Sequence, residues 1–156
     1  MRRRRGFTLV ELLAVIAITA IIAAMTVPAM SELRTRSGLR SARALVLASF
    51  SAARASAIQK GKTATVTVNN NVLSVTAMSG LTPVAVQIHG PVNVNRTTGA
   101  VVAPLDGAPT SVVYDARGLI TPNTTSIARY ELRLGSRRDT VCITGAGTIM
   151  PKGCVL

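Results

Sequence analysis

A chain of 156 residues with 48% apolar content suits one folded domain plus an appendage, and it is too apolar for global disorder. Two Cys and one His exclude a tetrahedral cysteine zinc site, a multi-disulfide scaffold and any two-histidine metal motif, and no cofactor is implied. Lys and Arg outnumber Asp and Glu by 18 to 6, a net charge of +12, which favours anionic partners such as nucleic acid or lipid head groups.

Four of those bases form a head, Arg2 to Arg5, ahead of Gly6. From Leu12 to Ser31 there follow 20 residues without a charge. About 20 apolar residues in a helix, rising roughly 1.5 Å each, match the thickness of a bilayer core. The Arg head would stay in the cytoplasm and the rest of the chain would lie across the inner membrane. Two readings stand side by side: an uncleaved anchor and a cleaved secretory signal, the second lacking a clear small-residue cleavage site. Glu11 suits neither in its plain form. A carboxylate driven to mid-bilayer costs roughly 2.5–3.5 kcal/mol and calls for a cationic partner.

The Arg-rich head, Gly6 and Phe7-Thr8-Leu9-Val10-Glu11-Leu12-Leu13 together resemble the class III leader of type IV pilins and type II secretion pseudopilins. The resemblance implies removal of residues 1–6 by a prepilin peptidase, with cleavage between Gly6 and Phe7 and N-methylation of Phe7. It implies that Glu11 meets the N-terminal amine of a neighbouring subunit during assembly. In an apolar filament core a buried carboxylate is tolerable only when neutralised. Pro28 also matches a family position. Proline removes one helical hydrogen bond and crowds the preceding turn, so the helix is expected to bend there.

Beyond the membrane, Leu39, Ala42, Val46, Phe50, Ala53 and Ala57 recur at three- and four-residue steps, an apolar stripe of helical period. Gly61 is a plausible helix stop after Lys60. Phe7 to Lys60 therefore reads as one long helix. Arg36, Arg40, Arg43 and Arg54 fall on one face beside the stripe, either a solvated face or a contact for acidic partners.

After Gly61 the period becomes two. Strands are expected over Thr63–Val68, Val72–Ala77, Val84–Ile88, Ala100–Ala103, Ser111–Tyr114, Tyr130–Leu134 and Thr140–Thr144, with turns at Asn69-Asn70-Asn71, Gly80, Gly90-Pro91, Asp106-Gly107, Arg117-Gly118 and Gly135-Ser136. The stretch from Gly80 to Pro109 has the least regular pattern, and His89 reads as a loop residue. The expected fold class is α+β: a long N-terminal helix packed on an antiparallel β-sheet domain. The expected divisions are a leader at 1–6, a transmembrane and filament-core helix at 7–30, an amphipathic helical half at 31–61 and a periplasmic β-domain at 62–156.

Three later segments resemble the GspH/FimT family of minor pilins and pseudopilins: Ser51 to Gly61, Val113-Tyr114-Asp115-Ala116-Arg117-Gly118, and Val141 to Gly147. The implied function is a minor subunit that primes or caps a type IV pilus or a type II secretion pseudopilus. Its partners would be other pilin subunits, the prepilin peptidase and the inner membrane. FimT-like proteins are DNA receptors in natural transformation, which makes double-stranded DNA an alternative partner. Their Arg-rich C-terminal motif aligns with Gly147 to Lys152, which carries Lys152 and neither Arg. Arg133, Arg137, Arg138 and Lys152 are the candidate DNA-binding residues, because clustered bases near a turn can neutralise phosphates.

Cys142 and Cys154 are the two thiols. In an oxidising periplasm they are either a disulfide, with Gly145-Ala146-Gly147 reversing the chain between them, or two free thiols. No P-loop, dinucleotide or H-E-x-x-H motif occurs, which excludes the assembly ATPase and leaves a non-enzymatic reading.

Overall fold

The computed structural model describes residues 7–80, 84–121, 127–150 and 154, and of residues 25–29 the backbone alone. Helix α1 spans Leu9–Lys60. It ends as its glycine dictates: Gly61 takes a φ of +60°, the Gly61 amide donates to Ile58 O at 3.3 Å, and the Lys62 amide donates to Ala57 O at 3.1 Å. That pair of bonds is the Schellman closure, and it satisfies carbonyls the helix would otherwise leave open. Pro28 lies inside the bounds of α1, and the expected bend there rests on a side chain outside the described residues. Among the described residues no helix is long and apolar enough to cross a membrane. The uncharged run of the sequence passes through residues 25–29.

The chain divides into two compact units, Met1–Arg36 and Ser37–Leu156. In the second unit the helical stripe meets its expected fate. Ala42, Val46, Phe50, Ala53 and Ala57 are fully buried, and Leu39 packs partly buried at their margin. Burying each large apolar side chain is worth about 1.5–3 kcal/mol, so this face holds the helix to the strands. Small residues set how closely it docks. A Cβ at Gly38 would stand 2.7 Å from both Thr98 O and a Leu134 methyl.

The strands are β1 (Ala64–Asn69), β2 (Val72–Ser79), β3 (Val84–Asn93), β4 (Val101–Leu105), β5 (Ser111–Tyr114), β6 (Ile120–Thr121), β7 (Ala128–Leu134), β8 (Arg137–Ile143) and β9 (Ile149–Met150), with a short helix α2 (Val94–Thr98) between β3 and β4. They form two antiparallel sheets, ordered β3-β2-β1-β5-β6 and β4-β7-β8-β9. The first hairpin is the one its sequence announces. Asn70 and Asn71 carry φ values of +46° and +65°, the two-residue turn whose twist suits paired strands. Asn71 then does more than turn: its side chain accepts from the Val102 amide at 2.8 Å, and its carbonyl accepts from the Val94 amide at 2.8 Å. One turn residue thereby ties the five-stranded sheet to α2 and to the four-stranded one.

The irregular stretch from Gly80 to Pro109 resolves into β3, α2 and β4. His89 is not a loop residue. It lies within β3, opposite Val75, and Gly90-Pro91 belong to the same strand. A proline is tolerated there because β3 is an edge strand, where one side of the backbone has no ladder to serve. Helix α2 is capped at both ends, by the Asn93 side chain accepting from the Arg96 amide at 3.0 Å and by Gly99 at a φ of +77°.

Cys142 and Cys154 form a disulfide with Cα atoms 5.5 Å apart, which ties Cys154 to β8. In the chain-entropy account a loop of this size, 12 residues, restrains the unfolded chain by about 3 kcal/mol. Cys154→Ser is therefore expected to cost about that much. A denaturant titration with and without reductant checks it: reductant should destabilise the parent chain and leave the variant unchanged.

Candidate functional site

Among the described residues, nothing covers the apolar side chains of the N-terminal segment. Phe7 is 85% exposed, and Leu9, Val10, Leu12, Leu13, Val15, Ile16, Ile18, Ile21 and Ile22 are each more than half exposed. A continuous apolar surface of this size marks contact with lipid or with other protein. Glu11, the one charged residue between Phe7 and Ile22, is not idle. Its Oε2 accepts from the Thr8 amide at 2.9 Å and from the Thr8 hydroxyl at 3.0 Å, while the Glu11 amide donates to Thr8 Oγ1 at 3.2 Å. Thr8 and Glu11 thus form a reciprocal capping box at the start of α1. The T-x-x-E spacing that signals it stands in the sequence at 8–11, and reading Glu11 for assembly alone passes it over. Gly6 lies outside the described residues.

The three later segments of the resemblance come together in space. Asp115 to Gly118 is a turn stapled by one carboxylate: Asp115 Oδ1 accepts from the Arg117 and Leu119 amides at 2.8 and 2.9 Å, and Oδ2 accepts from the Arg117 guanidinium at 3.0 Å. The Leu119 amide is the main cause of an Asp115 pKa below the ordinary carboxylate value. Thr144 to Thr148 is a second turn, closed by the Gly147 amide on Thr144 O at 2.8 Å. The two turns abut. A Cβ at Gly147 would lie 2.4 Å from Gly118 O, and one at Gly118 would lie 2.8 Å from an Ile58 methyl and 3.1 Å from Arg54 Nε. From α1, Arg54 donates to Gly147 O at 3.2 Å. Beneath them Tyr114 is fully buried, and burial pushes its hydroxyl up to about 12. These motifs lock the helix end to two turns. They are packing and turn chemistry, and none offers a nucleophile beside a base.

The basic face expected on α1 does not stand free. Arg36 pairs with Glu32 at 2.8 Å, one helical turn away. Arg43 reaches Asp139 of β8 at 2.8 Å, with both side chains about three-quarters buried. Arg54 is spent on Gly147, and Arg40 remains exposed. Arg43 and Arg54 therefore face the strands and turns of the second unit.

Two of the candidate DNA-binding residues, Arg133 and Arg138, are likewise engaged. Arg133 and Arg138 sit directly opposite each other across β7 and β8, a like-charge pairing that is unfavourable unless compensated. Glu131, only 8% exposed, compensates both: Oε2 accepts from Arg133 Nε at 2.7 Å and Oε1 from Arg138 Nη1 at 3.3 Å. Asp139, which follows Arg137 and Arg138 in the sequence, pairs with Arg43 of α1. Arg137 is exposed beside the Gly135-Ser136 turn, and Lys152 lies outside the described residues. A cavity of about 390 Å³ opens between the two sheets, with Asp106, Pro109, Ser111, Ile120 and Thr121 in its wall. Its one charged group, Asp106, is paired with Arg129 at 2.9 Å. Among the described residues no cluster of His, Cys, Asp and Glu could hold a metal ion.

Residues 1–27 match the model of the prokaryotic N-terminal methylation motif. No curated protein sequence matches the chain. Two crystal structures of the type IV minor pilin FimU of Pseudomonas aeruginosa are similar in fold. One has a TM-score of 0.59 at 17% identity, with 74% of this chain and 88% of that chain covered. The other has a TM-score of 0.51 at 14% identity, with 74% and 90% covered. The chain therefore has a type IV pilin methylation motif at its N-terminus and a fold like that of a minor pilin, a long helix followed by antiparallel sheets.

Proposed function

We propose that this chain is a minor subunit of a type IV filament machine, a structural protein that primes or caps a pilus or a type II secretion pseudopilus. The carrying observation is the methylation motif over residues 1–27 joined to an exposed apolar helical surface. In this reading the prepilin peptidase removes residues 1–6, and Phe7 becomes the methylated first residue. The helix waits in the inner membrane with the β-domain in the periplasm, then packs among other subunits. The leading residues, Phe7 to Ile22, form the lipid-facing and later filament-facing surface. Glu11 exchanges its Thr8 amide and hydroxyl for the amine of a neighbouring subunit, since two charges leaving water together cost less than either alone.

Double-stranded DNA capture is the alternative, and the charge pairing argues for placing it second. Glu131 and Asp139 take up much of the field of the β7–β8 turn, and backbone binding to DNA scales with the number of phosphates neutralised. A titration of the chain with duplex DNA at several salt concentrations separates the two readings. A steep loss of affinity with salt would promote DNA capture.

The assembly reading has a direct test. Coexpressed with a prepilin peptidase, the chain should yield a mass of Phe7 to Leu156 plus one methyl group. Glu11→Ala should be cleaved normally and enter filaments about tenfold or more less, because the neighbouring amine then enters the apolar core unpaired. Thr8→Ala is the control: it removes the cap, at about 1 kcal/mol, and keeps the carboxylate, so incorporation should persist. Cleavage downstream of Val27 would instead make the segment an ordinary secretory signal.

A further inference from the structure

Strand β3 is the outer strand of the five-stranded sheet, and among the described residues nothing pairs with its far side. Its backbone alternation can be read from one bond. The Met78 amide donates to Thr63 O at 2.9 Å, toward β1, so the polar groups of Ala77 and Ser79 turn the other way, toward β3. Ala77 lies opposite Val86 and Ser79 opposite Val84. Val84 and Val86 therefore spend their amides and carbonyls on β2, and those of Ala85 and Gln87 face outward.

The side chains along this edge are as unguarded as the backbone. Val84, Val86 and Ile88 are 58%, 44% and 36% exposed. Natural edge strands are usually protected by charge, and β3 carries neither Lys, Arg, Asp nor Glu. The surrounding charge is one-sided. No Asp or Glu occurs between Glu32 and Asp106, a stretch that includes all of β1, β2, β3 and α2. Lys62, which precedes β1, bonds to Gly80 O just past the end of β2, and exposed Arg96 follows β3 in α2.

We propose that the outer edge of β3 is a docking site for an extended segment of an acidic partner protein. The segment adds as a sixth strand, with apolar side chains at alternate positions and carboxylates at its ends. The free groups of Ala85 and Gln87 supply the ladder, and Val84 and Val86 supply the apolar contact. Lys62 and Arg96 meet the terminal carboxylates. A second copy of this chain is the poorer occupant, because it would set two uncompensated cationic edges together. The inference does not rest on the filament reading, since a strand would add to this edge whichever machine the protein serves.

The test uses the full chain, nitrogen-15 labelled, in detergent micelles. The probe is a synthetic peptide, acetyl-Glu-Val-Thr-Val-Thr-Val-Glu-amide. Saturable shifts at the amides of Ala85 and Gln87 are expected. Gln87→Pro removes an outward amide and no bond to β2, and it should weaken binding about tenfold, while Gln87→Ala should bind as the parent does. A peptide with Lys in place of its terminal Glu residues should bind the parent chain about tenfold more weakly at low salt, a comparison that stands even if the proline variant does not fold. Absent or non-saturating shifts, shifts confined to other strands, or equal affinity for the two peptides would overturn the proposal. So would self-association that protects Ala85 and Gln87 and resists the peptide, which would assign the edge to a second copy. Leader cleavage and incorporation read α1 and are unaffected by any of these outcomes.

Discussion

Phe50→Ala is expected to destabilise the β-domain by about 4 kcal/mol. Phe50 is fully buried on the apolar stripe of α1, and its ring lies 5.5 Å from that of Tyr130 at an interplanar angle of 43°. Truncation to Ala in a core costs about 3–5 kcal/mol through lost transfer energy and the cavity left behind. The tilted aromatic pair adds about 0.5–1.5 kcal/mol beyond burial. Tyr130 cannot shift to fill the space, because its hydroxyl is bonded to Pro109 O at 2.7 Å and its neighbours are strands of a closed core. Domains are typically stable by only about 5–15 kcal/mol, so this one change removes a large share. The measurement is a denaturant titration followed by tyrosine signal. The chain has no Trp, and both Tyr residues are buried in the second unit, so the signal reports that unit by itself. A loss below about 2 kcal/mol would mean that the helix is not held by this stripe.

Gly147→Ala comes next, at about 3 kcal/mol. Two penalties combine. The residue holds a φ of +73°, which a side chain resists, and its Cβ would stand 2.4 Å from Gly118 O and 3.0 Å from the Tyr114 ring. The backbone oxygen cannot step aside without opening the Asp115 turn, and retreat of the Gly147 turn breaks the Arg54 bond. Gly107→Ala is the matched control. Gly107 also has a φ of +73°, but nothing lies within 4 Å of its added Cβ, so it should cost only about 1 kcal/mol. Equal losses at the two positions would show that the φ alone matters and that the two turns do not press together.

Local signals in this chain were legible because their causes are local. The leader spacing, the apolar stripe from Leu39 to Ala57, the Gly61 stop and the Asn70-Asn71 turn each depend on residues within a few positions of one another. The methylation motif was readable as a spaced set of residue types in the first 27 positions, and the pairing of Thr8 with Glu11 was readable in the same way. Between Gly80 and Pro109 the strands over Val84–Ile88 and Ala100–Ala103 were legible, but Gly90 and Pro91, which lie inside β3, read as a turn. Their tolerance comes from β3 having no neighbour on its far side among the described residues, a fact of the sheet and not of the segment.

By itself, then, the sequence determined the long helix, its buried face, most of the strands and the N-terminal methylation motif. Only the tertiary structure decided which strands share a sheet and which charges are already taken. Arg43 finds Asp139 across 96 residues and Arg54 finds Gly147 across 93, and no short-range pattern encodes either bond. Glu131 pairs along its own strand with Arg133, and its second guanidinium, Arg138, arrives only when β8 folds against β7. Periodicity records which face of an element is apolar. Partnership between elements is set by packing, where burial, close glycine contacts and unpaired backbone edges are determined together.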